Sequence, residues 1–390
     1  MIALHALRVE NFRSLAKVDV PLRALNVLVG ANASGKSNLL EVIGFLGDVA
    51  RQDLLPAIDS HGGWDSLLFR GGSTKRASIR IEVEAQVTRH SSERAHDHYV
   101  LLITSRGRAR VRREEFKFKR TPGRGRRITV DGARVEIDDE RASKRNRALA
   151  KQSAGLATLQ KLGPDEGALQ VGELADLFES FRVFDPDVQA ARLPSPTPSS
   201  ASLAADASNL AAFLRWLHDE HDETFELLVD DLRAVVPGLS NIHFEAIGGS
   251  AEGVRLTIEE STLRGRTELA HASFGTVRAL ALLAMLHDPN PPRLSCVEEV
   301  DHGLHPYALD RIVERLRSAS ERTQLLLATH SPTLVNRLAP EELIICERDP
   351  DTGASLIPAI DPSEVRSIAA EDELGLGELW FTGTLGGVPP

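Results

Sequence analysis

The apolar positions of the chain change their spacing several times, and each change marks a new element. Ala6-Leu7-Arg8-Val9-Glu10-Asn11-Phe12 and Lys17-Val18-Asp19-Val20 alternate apolar with polar residues, and Leu25, Val27, Leu28 and Val29 form a third run of strand character. From about Ser37 to Asp48 the apolar residues recur at helical spacing. Alternation returns at Ile79-Arg80-Ile81-Glu82-Val83-Glu84-Ala85, and with Tyr99 to Ile103, Arg110 to Lys119 and Ile128 to Val130 it predicts an antiparallel sheet. Residues 141–181 read mostly as polar helices, including Ser153 to Leu162 and Val171 to Phe181. Pro194, Pro196 and Pro198 among serines then mark an extended connector.

Helical spacing resumes at Asn209 and runs to about Val236, where Pro237-Gly238 ends it. Two strands follow, Ile242 to Ile247 and Val254 to Glu259. The remainder alternates a helix (Val277 to Leu286), a strand (Leu294 to Val297), a helix (Ala308 to Ser318), a strand (Gln324 to Leu327) and a helix starting near Pro332. That alternation predicts an α/β fold with parallel strands. The shifts divide the chain into an N-terminal lobe (1–140), a helical insertion with the Pro/Ser-rich connector (141–236) and a C-terminal lobe (237–390).

Composition narrows the class. The 390 residues are 42% hydrophobic, as expected of a soluble globular protein, and no stretch approaches the roughly 18 apolar residues of a membrane span. Met1 to Arg8 lacks the apolar core of a signal peptide, so a cytoplasmic location is expected. Cys296 and Cys346 lie in apolar runs and read as buried strand residues, with no metal-ligand cluster in view. Net charge is −10, yet Arg106 to Arg127 holds 11 Lys/Arg against Glu114 and Glu115, a local +9. Such an island, with Arg110, Arg112, Arg113, Arg126 and Arg127 as contacts, fits DNA phosphates; a solvated hairpin with outward arginines fits equally.

The strongest chemistry follows the third strand. Gly30-Ala31-Asn32-Ala33-Ser34-Gly35-Lys36-Ser37 stands between a strand and a helix, where backbone N–H groups and a helix N-terminus can cradle phosphates. Lys36 adds a charge at the β/γ-phosphates, and Ser37 offers a hydroxyl to Mg²⁺. A Mg²⁺ site also needs an acid. Val297-Glu298-Glu299 places two at the end of a buried strand, Glu298 for Mg²⁺ and Glu299 to deprotonate the attacking water. His330, ending another strand in Ala328-Thr329-His330, can hydrogen-bond a γ-phosphate or simply cap a turn. Ser273 and Gly275, at the start of the apolar helix, can offer a hydroxyl and N–H groups to an anion or serve only as a cap.

In this order the motifs resemble an ABC-type ATPase head, and more narrowly the SMC/RecF/OLD group of AAA-type ATPases found in DNA repair and phage defence. Asn11-Phe12-Arg13-Ser14, the phosphate loop through Asn38, Asp206-Ala207-Ser208-Asn209-Leu210-Ala211, Glu298-Glu299 with Gly303-Leu304-His305-Pro306, Thr329-His330-Ser331-Pro332 and Leu374-Gly375-Leu376-Gly377-Glu378-Leu379-Trp380 carry the likeness. It implies a P-loop NTPase head with a mixed sheet, an antiparallel β subdomain and a helical insertion. It also implies Mg²⁺-dependent ATP hydrolysis in a homodimer that sandwiches ATP, with Ser273 and Gly275 reaching the partner's site and His305 communicating across the dimer. A Mg²⁺-sensing glutamine is expected, for which Gln86 is the candidate. OLD-type relatives carry a Toprim nuclease domain; only 60 residues follow His330, so a separate nuclease or toxin effector is expected. Ala272, Phe274 and Val300 depart from the usual pattern and bear on hydrolysis rate and dimer strength. An energy-coupling transporter subunit and a weakly hydrolysing structural clamp are the alternatives, the inserted elements between 79 and 236 weighing against the first.

Overall fold

Alternation in Leu4–Phe12 (β1) and Leu15–Pro21 (β2) turns Leu7, Val9, Val18 and Val20 inward and leaves Arg8 and Asp19 to pair outside at 2.9 Å. The computed structural model describes all residues except 1, 73–76, 108, 120–124, 140–141, 149–152, 160–166, 197–200, 249–252, 372 and 388–390. Leu25–Val29 (β3) is buried at all five positions, the mark of a strand covered on both faces. Lys36–Gln52 (α1) follows. Ser78–Ala85 (β4), Asp97–Arg106 (β5), Ala109–Phe118 (β6), Arg126–Asp131 (β7), Arg134–Asp139 (β8) and Ala142–Ala148 (β9) extend the first hairpin into an eight-stranded antiparallel sheet of order β2-β1-β4-β5-β6-β7-β8-β9.

The helical reading of 141–181 needs correction at its start. Ala142–Ala148 pairs antiparallel with β8 and ends the sheet, and its run Ser143-Lys144-Arg145-Asn146-Arg147 is the charged composition of an edge strand, which carries no clear alternation. Helix is described over Gly155–Thr158 and Ala168–Glu179 (α2); 160–166 lie outside the described residues. The single helix expected from Asn209 to Val236 is two, Leu210–Glu220 (α3) and Asp222–Val235 (α4), broken at His221.

Arg182–Phe184 (β10) leads toward the C-terminal half, where Leu239–Ile247 (β11) and Gly253–Glu260 (β12) form a hairpin. Phe274–Leu286 (α5), Leu294–Val297 (β13), Leu309–Ser320 (α6), Gln324–Thr329 (β14) and Leu343–Ile345 (β15) complete the α/β layout. Five strands pair in parallel in the order β10-β13-β14-β3-β15. The two faces of this sheet feed different cores. Leu28, Leu326 and Ala328 pack on α1, whose other side meets the antiparallel sheet. Val27, Leu325 and Leu327 pack on α3 to α6.

One polar cluster fixes α1 from the side. His61 lies between two carboxylates of that helix, Nδ1 at 2.6 Å from Glu41 and Nε2 at 2.8 Å from Asp48, while Arg13 pairs with Glu41 at 2.7 Å. Burial pulls the His61 imidazole toward neutrality, but the two carboxylates outweigh it and hold it above its ordinary value. A neutral ring can donate to only one of them. The stabilisation is therefore complete below the unfolded histidine value and fades as pH rises through the raised folded one. His61→Gln is expected to lower stability by about 2 kcal/mol near pH 6 and by much less near pH 9, read from urea midpoints; an equal loss at both pH values would contradict this reading.

Candidate nucleotide site

The C-terminal ends of β3, β13 and β14 lie side by side, so Gly30 to Asn38, Glu298-Glu299 and Thr329-His330 meet at one sheet edge around a cleft of about 280 Å³. The phosphate loop reaches its shape through backbone that most residues avoid. Gly35 has φ +106°, and a Cβ there would stand 2.0 Å from the Ser355 hydroxyl. Ala33 also holds a left-handed φ of +65°. Lys36 Nζ donates back to the carbonyls of Gly30 (2.7 Å) and Ala31 (2.9 Å), and burial lowers its pKa.

Ser37 Oγ donates to Glu298 at 2.8 Å. A hydroxyl and a carboxylate brought this close are hard oxygen donors of the kind Mg²⁺ takes, so these residues fit the ion. Glu299 stands in left-handed backbone at φ +47°, with its carboxylate 2.5 Å from His302 Nδ1; that contact holds its pKa below the ordinary glutamate value against the opposing effect of burial. Asp301 accepts from Thr329 Oγ1 at 2.6 Å, tying the loop after the acids to the strand end that carries the exposed His330.

Two neighbours of the acids escaped the sequence reading. Arg278, 7% exposed in an otherwise apolar α5, donates to the carbonyls of Glu298 (3.0 Å), Glu299 (3.2 Å) and Pro186 (3.2 Å). An arginine inside Val277 to Leu286 is a readable signal, because a buried guanidinium needs acceptors. Asp185, just past β10, lies 3.8 Å from Arg278 on the same edge. Gln86, expected to sense Mg²⁺, stands beside the start of β1, where its backbone N–H donates to the Ala3 carbonyl at 3.0 Å. The whole of β1 separates it from Arg13 and Ser14, which touch Glu41 and Asn38 of α1.

Ser273 caps α5, accepting from Thr276 N at 3.1 Å. Neither Ser273 nor Gly275 lines the cleft. A Cβ on Gly275 would lie 2.4 Å from the Gly303 carbonyl, and Phe274 stacks obliquely on His302 at 5.3 Å, so this helix start abuts the loop beyond the acids. His305 is exposed on that loop and accepts from Tyr307 N at 3.2 Å.

The DNA assignment for Arg112 and Arg126 is overturned. Both sit on the inward face of their strands with Phe116 and Ile128: Arg112 is fully buried, 3.1 Å from buried Glu114, and Arg126 donates to Gln170 at 2.7 Å. Arg113 and Arg127 do face outward, Arg127 pairing with Glu115 at 3.0 Å, while Arg110 lies over Trp64 at 5.0 Å. Pairing of β4 with β5 also brings Glu82, Glu84 and His98 together, a grouping invisible along the chain; Arg8 already donates to both carboxylates.

Residues 25–336 match the family described as "AAA domain, putative AbiEii toxin, Type IV TA system". The chain belongs to this AAA family. Its fold is that of an ABC-type ATPase head of the SMC and RecF kind. The DNA replication and repair protein RecF of Anaeromyxobacter sp. (strain Fw109-5) is 38% identical to it over 85 residues, 20% of this chain and 23% of that relative, so less than a quarter of RecF is spanned. Among solved structures, the SmcHead bound to the C-winged helix domain of ScpA superposes with TM-score 0.58 at 14% identity, covering 91% of this chain and 97% of that one. The Smc head domain with an extended coiled coil bound to the C-terminal domain of ScpA, from Pyrococcus furiosus, gives 0.54 at 12% identity, covering 95% and 99%. Likeness at these identities is one of fold. Among the described residues of this AAA protein, no helix is long and apolar enough to cross a membrane.

Arg278→Met is expected to destabilise the protein by about 2–3 kcal/mol, since one buried and two partly buried carbonyls lose their donor. Denaturant midpoints measure this, and a change under about 0.5 kcal/mol would show that those carbonyls find other partners.

Proposed function

We propose that the protein binds ATP with Mg²⁺ and hydrolyses it, and that two copies close around two ATP molecules as a conformational switch. The observation that carries the reading is the convergence of Lys36, Ser37, Glu298, Glu299 and His330 on one cleft from three strands. Lys36 and the loop amides take the β- and γ-phosphates, and Ser37 and Glu298 would hold Mg²⁺, which when bound neutralises charge on the phosphate oxygens. Glu299, its carboxylate oriented by His302, accepts a proton from the attacking water. The water oxygen bonds to the γ-phosphorus as the bond to the β–γ bridging oxygen breaks, leaving ADP and inorganic phosphate. His330 donates to a γ-phosphate oxygen.

The dimer reading rests on α5. Its capped N-terminus offers Ser273 and Gly275 from outside the cleft of their own chain, beside exposed Phe274 and Tyr307, so a second copy could complete the site with them and with the His305 loop. Hydrolysis would then reopen the pair. The family description names a toxin and the RecF relative is a repair protein, which supports placing the switch in defence or DNA repair, acting on a separate effector or on DNA.

Glu299→Gln is expected to cut ATP turnover by about 10²-fold or more while ATP-bound dimers accumulate, read by phosphate release and light scattering. Lys36→Ala is expected to abolish nucleotide binding. Unchanged turnover in Glu299→Gln would remove the glutamate from its role as base.

A further inference from the structure

Two cavities flank the nucleotide cleft. One, of about 450 Å³, opens between Arg13 and Ser14, the segment Leu68 to Gly71, and the hairpin that follows β15. The other, of about 480 Å³, lies behind the phosphate loop against Glu347 to Pro350. Arg348 borders the cleft and both cavities. Its Nη1 donates to the Ala33 carbonyl at 3.0 Å, so it grips the peptide of the one loop residue that holds a left-handed conformation without being glycine. Among the described residues this is the only side-chain hydrogen bond that Arg348 makes, and no carboxylate lies within ion-pair distance. Glu347, the adjacent acid, is engaged instead by the backbone N–H of Gly387.

An exposed guanidinium held by one N–H keeps the rest of its donor fork for another anion. Glu298, Glu299 and His330 line the cleft, while Arg348 and Asn38 line both the cleft and the 450 Å³ cavity beside it. A triphosphate with its γ end at the acids and its nucleoside in the 450 Å³ cavity would carry its α-phosphate past Asn38 and Arg348, the two residues common to cleft and cavity.

We infer that Arg348 is a nucleotide-contacting residue: from the hairpin after β15 it binds the α-phosphate in the cleft of its own chain while bracing the Ala33 peptide. This deepens the ATP reading and rests on it. The contact is shared by ATP and ADP, since both carry an α-phosphate. It also makes the hairpin a sensor of occupancy, because the same guanidinium joins ligand and loop.

Calorimetric titration of the full chain with ATP and ADP in the presence of Mg²⁺ tests the inference, using Arg348→Ala, Arg348→Lys and Arg348→Gln. Arg348→Ala is expected to weaken both nucleotides about tenfold or more and by similar factors, with the ligand-free protein still folded and its stability lowered only by the lost Ala33 hydrogen bond. Lysine, which retains the charge, is expected to restore part of the affinity, and glutamine, which can still donate to Ala33, none. Wild-type affinity in Arg348→Ala, a loss confined to ATP, or full rescue by glutamine would each overturn the α-phosphate contact. If the wild type binds ATP and Lys36→Ala does not, such a result removes the inference alone. If the folded wild type binds neither nucleotide, the ATP reading falls and the inference with it.

Discussion

Parallel pairing of β3 with β14 on one side and β15 on the other is the constraint from which the site follows. It sets Val29 opposite Thr329 and Ile345, so residues three hundred positions apart leave the sheet at the same edge. In a parallel ladder every strand ends on that side, and the loops that follow have no choice but to share it. The phosphate loop, the paired acids and His330 each begin directly past a strand of this sheet, and Arg348 stands three residues past the end of β15. Covering both faces with helices and a second sheet makes the register unambiguous, because a one-residue slip in β14 would exchange Leu326 and Ala328 for Leu325 and Leu327 between two different cores.

The phosphate loop is short, and its neighbours hold it. Ser355 stands where a Cβ on Gly35 would go, the Gly387 carbonyl accepts from Ala31 N at 3.0 Å, and Arg348 holds Ala33. On its other flank Ser14 accepts from Asn38 and shares a hydrogen bond with Ser355, each at 2.6 Å. A loop rich in left-handed backbone costs free energy in isolation, and contacts from both ends of the chain offset it.

Buried charge is used away from the cleft to dock elements. Glu114 is fully buried and accepts from Tyr99 at 2.8 Å, from Arg112 and from the N–H groups that open the helix Gly155–Thr158, while burial raises its pKa. Asp231 on α4 is met by His287 at the end of α5 and by Arg311 and Arg315 of α6. Burial pushes the Asp231 pKa up, and these donors more than reverse it. Such groups cost desolvation unless every lone pair is matched, so they specify which surfaces meet.

Local pattern is enough for most elements and for the residues of the cleft other than Arg348. Glycine spacing, the apolar run before it and the helical spacing after it identify Gly30 to Asn38, and a strand ending in Glu298-Glu299 supplies its acids, because backbone geometry and phosphate chemistry both demand particular residues at fixed local spacing. The edge strand β9 was illegible, since a strand paired on one side only needs no strict alternation. Local counting also misplaced the arginines: a +9 stretch looks like a surface until pairing with β5 and β7 turns Arg112 and Arg126 inward. Only the tertiary structure could decide that Arg278 holds the acid turn, that Gln86 stands at the wrong end of β1 and that Arg348 reaches the loop, because each depends on which distant strands are neighbours. Sequence settles what a segment can do chemically, and sheet order settles what it meets.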